Sequence, residues 1–235
     1  MGQTISSSNF FFYGKKHFTQ KGYLKHRKHY QEAFQTSALG LDGKLDGVNL
    51  DGRVVVITGA NSGLGKEVAT YSASKGAKVY MLCRSKGKAE SAKEEIIKAT
   101  GNDKVEVVLV DVSELDQIRS AAKEIQSREQ KIHALVCNAG VLVKDKMMTS
   151  QGYEATFASH LLGGSYLLSK LLMPLVKAEY EGRIIFTTSG GMYNYPLPSW
   201  PTLSGTDKEL KFDGTNAYAY AKRGQVSLYY PVLWF

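Results

Sequence analysis

The 235-residue chain is poor in cysteine, proline and tryptophan, and it has no long uninterrupted apolar run. Its two cysteines, Cys83 and Cys137, fall in stretches that read as strands. That excludes a disulfide framework and points to reduced core thiols in a reducing compartment, the cytoplasm. The most apolar stretch, Leu161 to Val176, is interrupted by Lys170 and Pro174. It falls short of the roughly 20 apolar residues that a membrane-spanning helix needs. The N-terminus lacks the charged-then-apolar order of a secretory leader. No metal site is expected.

Acidic residues are also in deficit, at 22 against 30 Lys and Arg, for a net charge of +8. The excess is local. Residues 1–41 carry Lys15, Lys16, Lys21, Lys25, Arg27 and Lys28 against the single acid Glu32, a net +5 that leaves +3 for the rest. No nucleic-acid module accompanies this basic, aromatic segment, so nucleic acid is not an expected partner. Residues 42–52, the turn-rich end of LDGKLDGVNLDG, read as a linker, and a dinucleotide-binding domain is expected over 53–235.

From Arg53 onward, strands and helices alternate. Strands are expected at Val54–Thr58, Lys78–Arg84, Val105–Asp111, Ile132–Asn138 and Ile184–Thr188. Helices are expected at Gly63–Lys75, Lys88–Ala99, Glu114–Ser127 and Tyr153–Lys177, with a last one from about Asn216 to the chain end. That alternation requires a parallel sheet with right-handed crossovers: an α/β, Rossmann-type, doubly wound fold. Gly190 to Gly214 is long and aperiodic, the kind of loop that usually covers a site.

The first strand runs into Thr58-Gly59-Ala60-Asn61-Ser62-Gly63-Leu64-Gly65, a TGxxxGxG pattern. Gly59 permits the tight turn out of the strand, Gly63 a close approach to a pyrophosphate, and Gly65 close helix packing. The following helix start offers free N–H groups to the anion, with Asn61, Ser62 and Leu64 in the same turn. An NAD-preferring site would place an acid at the end of the second strand. None occurs there before Glu90, whereas Arg84 lies 19 residues beyond Gly65. A guanidinium at that point suits a 2′-phosphate, so NADP(H) is expected ahead of NAD(H).

These glycines, Asn138-Ala139-Gly140 after the fourth strand, Ser189 after the fifth, and Tyr218-Ala219-Tyr220-Ala221-Lys222 together resemble the short-chain dehydrogenase/reductase family. Phe18–Tyr23, Thr188–Met192 and Phe212–Thr215 are similar to its retinol-dehydrogenase-like branch, and the resemblance spans about Phe18 to Leu228. It implies an oxidoreductase that interconverts a carbonyl and an alcohol on a small lipophilic substrate. It also implies that Asp111 and Val112 border the adenine and that Asn138, Ala139 and Gly140 support the cofactor. Tyr218 would exchange the proton, Ser189 would polarise the carbonyl, and Lys222 would hold the ribose. Tyr218 and Lys222, spaced i and i+4, share one helix face, where the ammonium favours the phenolate. Tyr220 faces elsewhere. Relatives often dimerise, so a homodimer is expected.

Two departures from the family pattern stand out. Relatives carry asparagine in an FxxN context in the long helix; here Phe157-Ala158-Ser159-His160 places His160 there, a candidate proton relay. Relatives also continue past this point with a sixth strand, a proline-glycine segment and a seventh. The resemblance thus predicts a sheet lacking its last strands and a chain of weak turnover. The alternative is a membrane-associated protein that binds cofactor or dimerises without catalysing. Finally, Met1-Gly2-Gln3-Thr4-Ile5-Ser6 fits the myristoylation pattern at Gly2. With Phe10 to Phe12 and Lys15 to Lys28 as a second signal, peripheral attachment to a membrane surface is expected.

Overall fold

A computed structural model describes residues 12–16, 19, 21–22, 24–25 and 47–228. Gly2, Phe10, Phe11 and Lys28 lie outside the described residues, as do Tyr229 to Phe235. The chain divides into two compact units, Met1–Asn49 and Leu50–Phe235. In the first, residues 12–16 are helical, and Gly22 donates its amide to Thr19 Oγ1 at 3.2 Å.

The second unit alternates β1 (Val54–Thr58), α1 (Gly63–Ser74), β2 (Lys78–Cys83), α2 (Lys86–Thr100), β3 (Val105–Leu109), α3 (Leu115–Arg128) and β4 (Ala134–Cys137). A long helix, α4 (residues 155–177), follows and leads to β5 (Arg183–Phe186). The five strands lie in the order β3-β2-β1-β4-β5, and every neighbouring pair is parallel. Strand order reverses between β1 and β4, where ligands bind in open sheets of this kind.

Period-two side-chain alternation builds two cores from one sheet. Val54, Val56, Tyr80, Leu82, Leu135 and Cys137 face α3 and α4. Val55, Ile57, Val79, Met81 and Cys83 face α1 and α2. All five residues of β1 are buried, which is why it reads as an unbroken β-branched run. β5, at the sheet edge, alternates between exposed and half-buried positions instead. Both cysteines are buried free thiols.

The long helix departs from expectation in shape. One α-turn at Ala155–Phe157 widens into a π-helix over Ala158–Leu167 and returns to α geometry over Leu168–Lys177. Its start is capped by Glu154, buried at 2% exposure, which accepts from the amides of Thr156 and Phe157, both at 2.8 Å. Gly163 lies hard against α3 and its lead-in: a Cβ there would sit 2.3 Å from the Val112 carbonyl oxygen.

The expected loop is not wholly irregular. It contains a 3₁₀ turn at Gly190–Asn194 and a short helix, α5, at Trp200–Ser204. The last described helix, α6 (Gly214–Ser227), begins two residues earlier than expected because Asp213 caps it, accepting from the Asn216 amide. It is described to Ser227, with Leu228 as its C-cap, and the expected run to the chain end falls outside the described residues.

Candidate functional site

Thr58, at the end of β1, holds the two sides of the β1–β4 reversal together. Its buried hydroxyl accepts from the amides of Asn138 and Ala139, each at 2.9 Å, while Asn138 Nδ2 donates to the Thr58 carbonyl at 3.1 Å. The chain then turns through Gly59 at φ +67°, where a Cβ would come within 3.1 Å of Ala139 Cα. Gly65 packs closer still: a Cβ there would stand 2.4 Å from the Gly59 carbonyl oxygen and 2.5 Å from Asn138 Nδ2. Gly63 has φ +52° but nothing within 4 Å of a would-be Cβ, so this glycine faces open space.

A cleft of about 380 Å³ opens over this reversal. Gly59, Asn61 and Ser62 wall one side, Asn138, Ala139, Gly140 and Val141 the other, and Asp111 and Val112 also line it. Arg84, Ser85 and Lys88 line it beyond β2. Leu64 stands outside this lining, 70% exposed on α1. The Asp111 carboxylate accepts from the Ser113 amide at 2.9 Å and hydroxyl at 2.7 Å, bracing the turn after β3. Both helices that open on the cleft, α1 and α2, lack an acid in the first turn and a side-chain cap. Their N-termini therefore present positive potential to it. A dinucleotide with anionic groups fits this donor set, with open space at Gly63 and cations at Arg84 and Lys88. Among the described residues no cluster of three or more His, Cys, Asp or Glu is placed to hold a metal.

A second group of side chains lies where α6 meets α4 and the end of β5. Lys222 is only 3% exposed, and its Nζ donates to the Thr187 carbonyl at 2.6 Å. Thr188 Oγ1 donates to the Lys222 carbonyl at 2.8 Å, stitching β5 to α6 from the other direction. Lys222 Nζ lies 5.7 Å from the Tyr218 ring centre. Burial pushes the Lys222 ammonium down to about 8 against a weak opposing effect of Cys137, whose own thiol is pushed up to about 12 by burial. His160 meets Tyr218 edge to face, with ring centres 5.2 Å apart. Burial, and then the charge of Lys222, push His160 down to about 4. Tyr220 turns away and packs on Tyr195 at 5.5 Å.

Tyr218, Lys222 and His160 are thus brought together. Ser189 is half-buried and caps the 3₁₀ turn, its Oγ accepting from the Gly191 amide at 3.2 Å. Among the described residues no hydrogen bond joins Ser189 to Tyr218 or Lys222. Three contributors escape a reading of the sequence. Thr58 opens the TGxxxGxG pattern, in which only the glycines and the residues of the turn were given a role. Lys88 lies four residues past Arg84, in the first turn of α2. Gln225, whose amide donates to the His160 carbonyl at 3.0 Å and to Ser165 Oγ at 2.8 Å, carries no sequence signal.

A family profile described as short chain dehydrogenase matches residues 53–206. Human dehydrogenase/reductase SDR family member 12 is 38% identical over 181 residues, covering 77% of this chain and 56% of that protein. Human retinol dehydrogenase 12 is 36% identical over 179 residues, covering 76% of this chain and 55% of its own length. The chain thus spans little more than half the length of these relatives. Among solved structures, an uncharacterised protein from Mycobacterium paratuberculosis superposes with a TM-score of 0.63 at 27% identity, covering 75% of this chain and 60% of that one. A short chain dehydrogenase from Escherichia coli, solved with NADPH, gives 0.59 at 22% identity over 76% and 69%. The profile runs from the first residue before β1 to just past α5, through the whole parallel sheet, and on that ground the chain belongs to the short-chain dehydrogenase/reductase family.

Proposed function

We propose that this chain is an NADP(H)-dependent oxidoreductase that interconverts a carbonyl and an alcohol on a lipophilic substrate. The observation that carries the reading is Lys222. A buried lysine is costly unless a carboxylate compensates it, and none contacts it among the described residues. Its burial costs stability and is explained by the phenol it accompanies. Tyr218 would deliver its hydroxyl proton to the substrate oxygen during reduction and take it back during oxidation. Lys222 would stand beside the phenol as the proton moves, its Nζ 5.7 Å from the ring centre. Ser189 keeps a hydroxyl proton to donate toward the same oxygen, since its Oγ acts only as acceptor to Gly191. The nicotinamide supplies or accepts the hydride when bound.

The cofactor would lie across the Gly59–Ser62 turn, with Asp111 and Val112 at the adenine end and Arg84, assisted by Lys88, at a 2′-phosphate. Asn138, Ala139 and Gly140 would form the opposite wall, and Lys222 would hold the ribose. A lipophilic substrate is supported by the exposed apolar residues of the long loop: Tyr193 at 64%, Leu197 at 47% and Trp200 at 62%. Retinol-dehydrogenase relatives make retinal a sensible first probe. Among the described residues no helix is long and apolar enough to cross a membrane. Acylation at Gly2, surface attachment and dimerisation are proposed from the sequence alone.

The test is NADPH fluorescence titration on the full chain, followed by NADPH oxidation with retinal or decanal. Binding that prefers NADPH to NADH, with turnover abolished in Tyr218→Phe, is expected. Binding without turnover in the unaltered chain would overturn the catalytic part.

A further inference from the structure

His160 is fully buried within the π-shaped stretch of α4. It reaches two structures at once. On one side its Nε2 lies 2.7 Å from the Val141 amide nitrogen and 2.8 Å from the Val141 carbonyl oxygen. Its Cε1 also fills the space beside Gly140, where a Cβ would sit 2.6 Å away. Gly140 and Val141 form part of the cleft wall. On the other side the imidazole stands against the Tyr218 ring at 83°.

A single ring nitrogen cannot both accept and donate. The Val141 amide hydrogen is aimed at Nε2 and the Val141 carbonyl stands almost as close, so the two tautomers compete; accepting from the amide places the ring proton on Nδ1. Nδ1 is itself buried without a partner. A proton relay needs a nitrogen free to receive a proton and a neighbour to pass one on. Accepting from the Val141 amide would occupy the lone pair that a relay needs. The titratable groups that face the ring are Tyr218 and Lys222, both from α6. The cation of Lys222 further disfavours a second positive charge.

We propose that His160 is a positioning residue, a neutral Nδ1–H imidazole that pins Val141 in the cleft wall and seats the Tyr218 ring, without itself carrying protons. This rests on the oxidoreductase reading above. It makes the residue a mechanical link between the cofactor wall and the phenol.

Two variants of the full chain separate a pin from a relay. His160→Gln can place an acceptor near the Nε2 position but cannot ionise. His160→Phe keeps a ring against Tyr218 and loses the acceptor. Without added cofactor, imidazole nitrogen shifts should report the Nδ1–H form. Val141 amide exchange should stay within about threefold of the parent in His160→Gln and rise about tenfold or more in His160→Phe, as expected for a lost amide partner. With NADPH and retinal, His160→Gln should keep the parent pH profile, while His160→Phe weakens NADPH binding. An Nε2–H tautomer would overturn the proposal. So would a His160→Gln protein that keeps Val141 protected yet loses turnover with a displaced pH profile. Should the parent bind no NADPH, the functional reading fails, and the tautomer and exchange measurements still decide the pin. Should His160→Phe not fold, the His160→Gln comparison decides alone.

Discussion

Lys222 on α6 donates its ammonium to the carbonyl of Thr187, one residue beyond β5, at 2.6 Å, and among the described residues no carboxylate shares that charge. Activity and stability should therefore conflict at this position. With the folded group at about 8 and the free one at 10.5, the unfolded chain holds the proton more tightly. The penalty is present in full below pH 8 and fades as pH rises toward 10.5. A difference of that size is worth about 3 kcal/mol. Lys222→Met should abolish turnover yet raise unfolding stability at pH 7 by about 1–2 kcal/mol, after the lost Thr187 bond is deducted. Urea unfolding at pH 7 and pH 10 checks this, since the gain should shrink at the higher pH.

Acid should act on the other side of the site. His160 is held near 4 against 6.5 when free, and His133 is also lowered, chiefly by burial. Both bind protons less readily when folded, so stability should fall as pH drops from about 6.5 toward 4, by about 3 kcal/mol for His160 alone. A His160→Gln chain should show a visibly flatter profile over that interval in thermal melts. An identical profile would remove His160 as the source.

The two glycines of the turn should fail for opposite reasons. Gly65→Ala puts a methyl within 2.4 Å of the Gly59 carbonyl oxygen, an overpacking expected to cost about 1–3 kcal/mol. Gly63→Ala meets no atom, but its φ of +52° is a strained one for alanine, at about 1 kcal/mol. Denaturant midpoints should rank Gly65→Ala as the less stable of the two. Both should weaken NADPH binding.

Arg84→Ala should lower NADPH affinity by about tenfold to a hundredfold, the range of a lost charge-assisted hydrogen bond, and leave NADH affinity unchanged. Paired titrations with the two nucleotides read this directly. An equal loss for both would mean that Arg84 does not face a 2′-phosphate.

Thr58→Val should be costly for a residue that touches no ligand in this reading. It leaves the amides of Asn138 and Ala139 without their acceptor, at about 1–3 kcal/mol each if they remain unpaired. Thr58→Ser keeps the oxygen and should restore most of the stability in the same denaturant series.

The parallel sheet was legible because its inner strands β1, β2 and β4 are buried on both faces and so are written as apolar runs, Val54–Thr58 above all. The cleft was legible in the glycines, whose spacing is a backbone requirement. What remained hidden depends on tertiary contact. Nothing in the spacing of Glu154 tells that it caps α4 from a buried position, and α6 could not be started correctly without seeing Asp213 act as its cap. Arg84 was visible as a cation at the right distance; Lys88 needed the turn of α2 to bring it to the same cleft. His160 was visible only as a departure from the family pattern. Its bond to Val141 spans 19 residues and a loop, beyond any periodicity.

The π-shaped middle of α4 also changes how that helix can be read or redesigned. An i→i+5 stretch closes its rings one residue later than the flanking α-turns. The angular phase of residues before Ala158 is therefore not the phase of those after Leu167. A helical wheel drawn straight through α4 at 100° per residue will assign one half to the wrong side. The Leu168, Leu172 and Val176 stripe that packs on the sheet cannot be extrapolated backward to locate His160. Each end of α4 has to be indexed from its own origin, one from the core and the other from the Tyr218 ring.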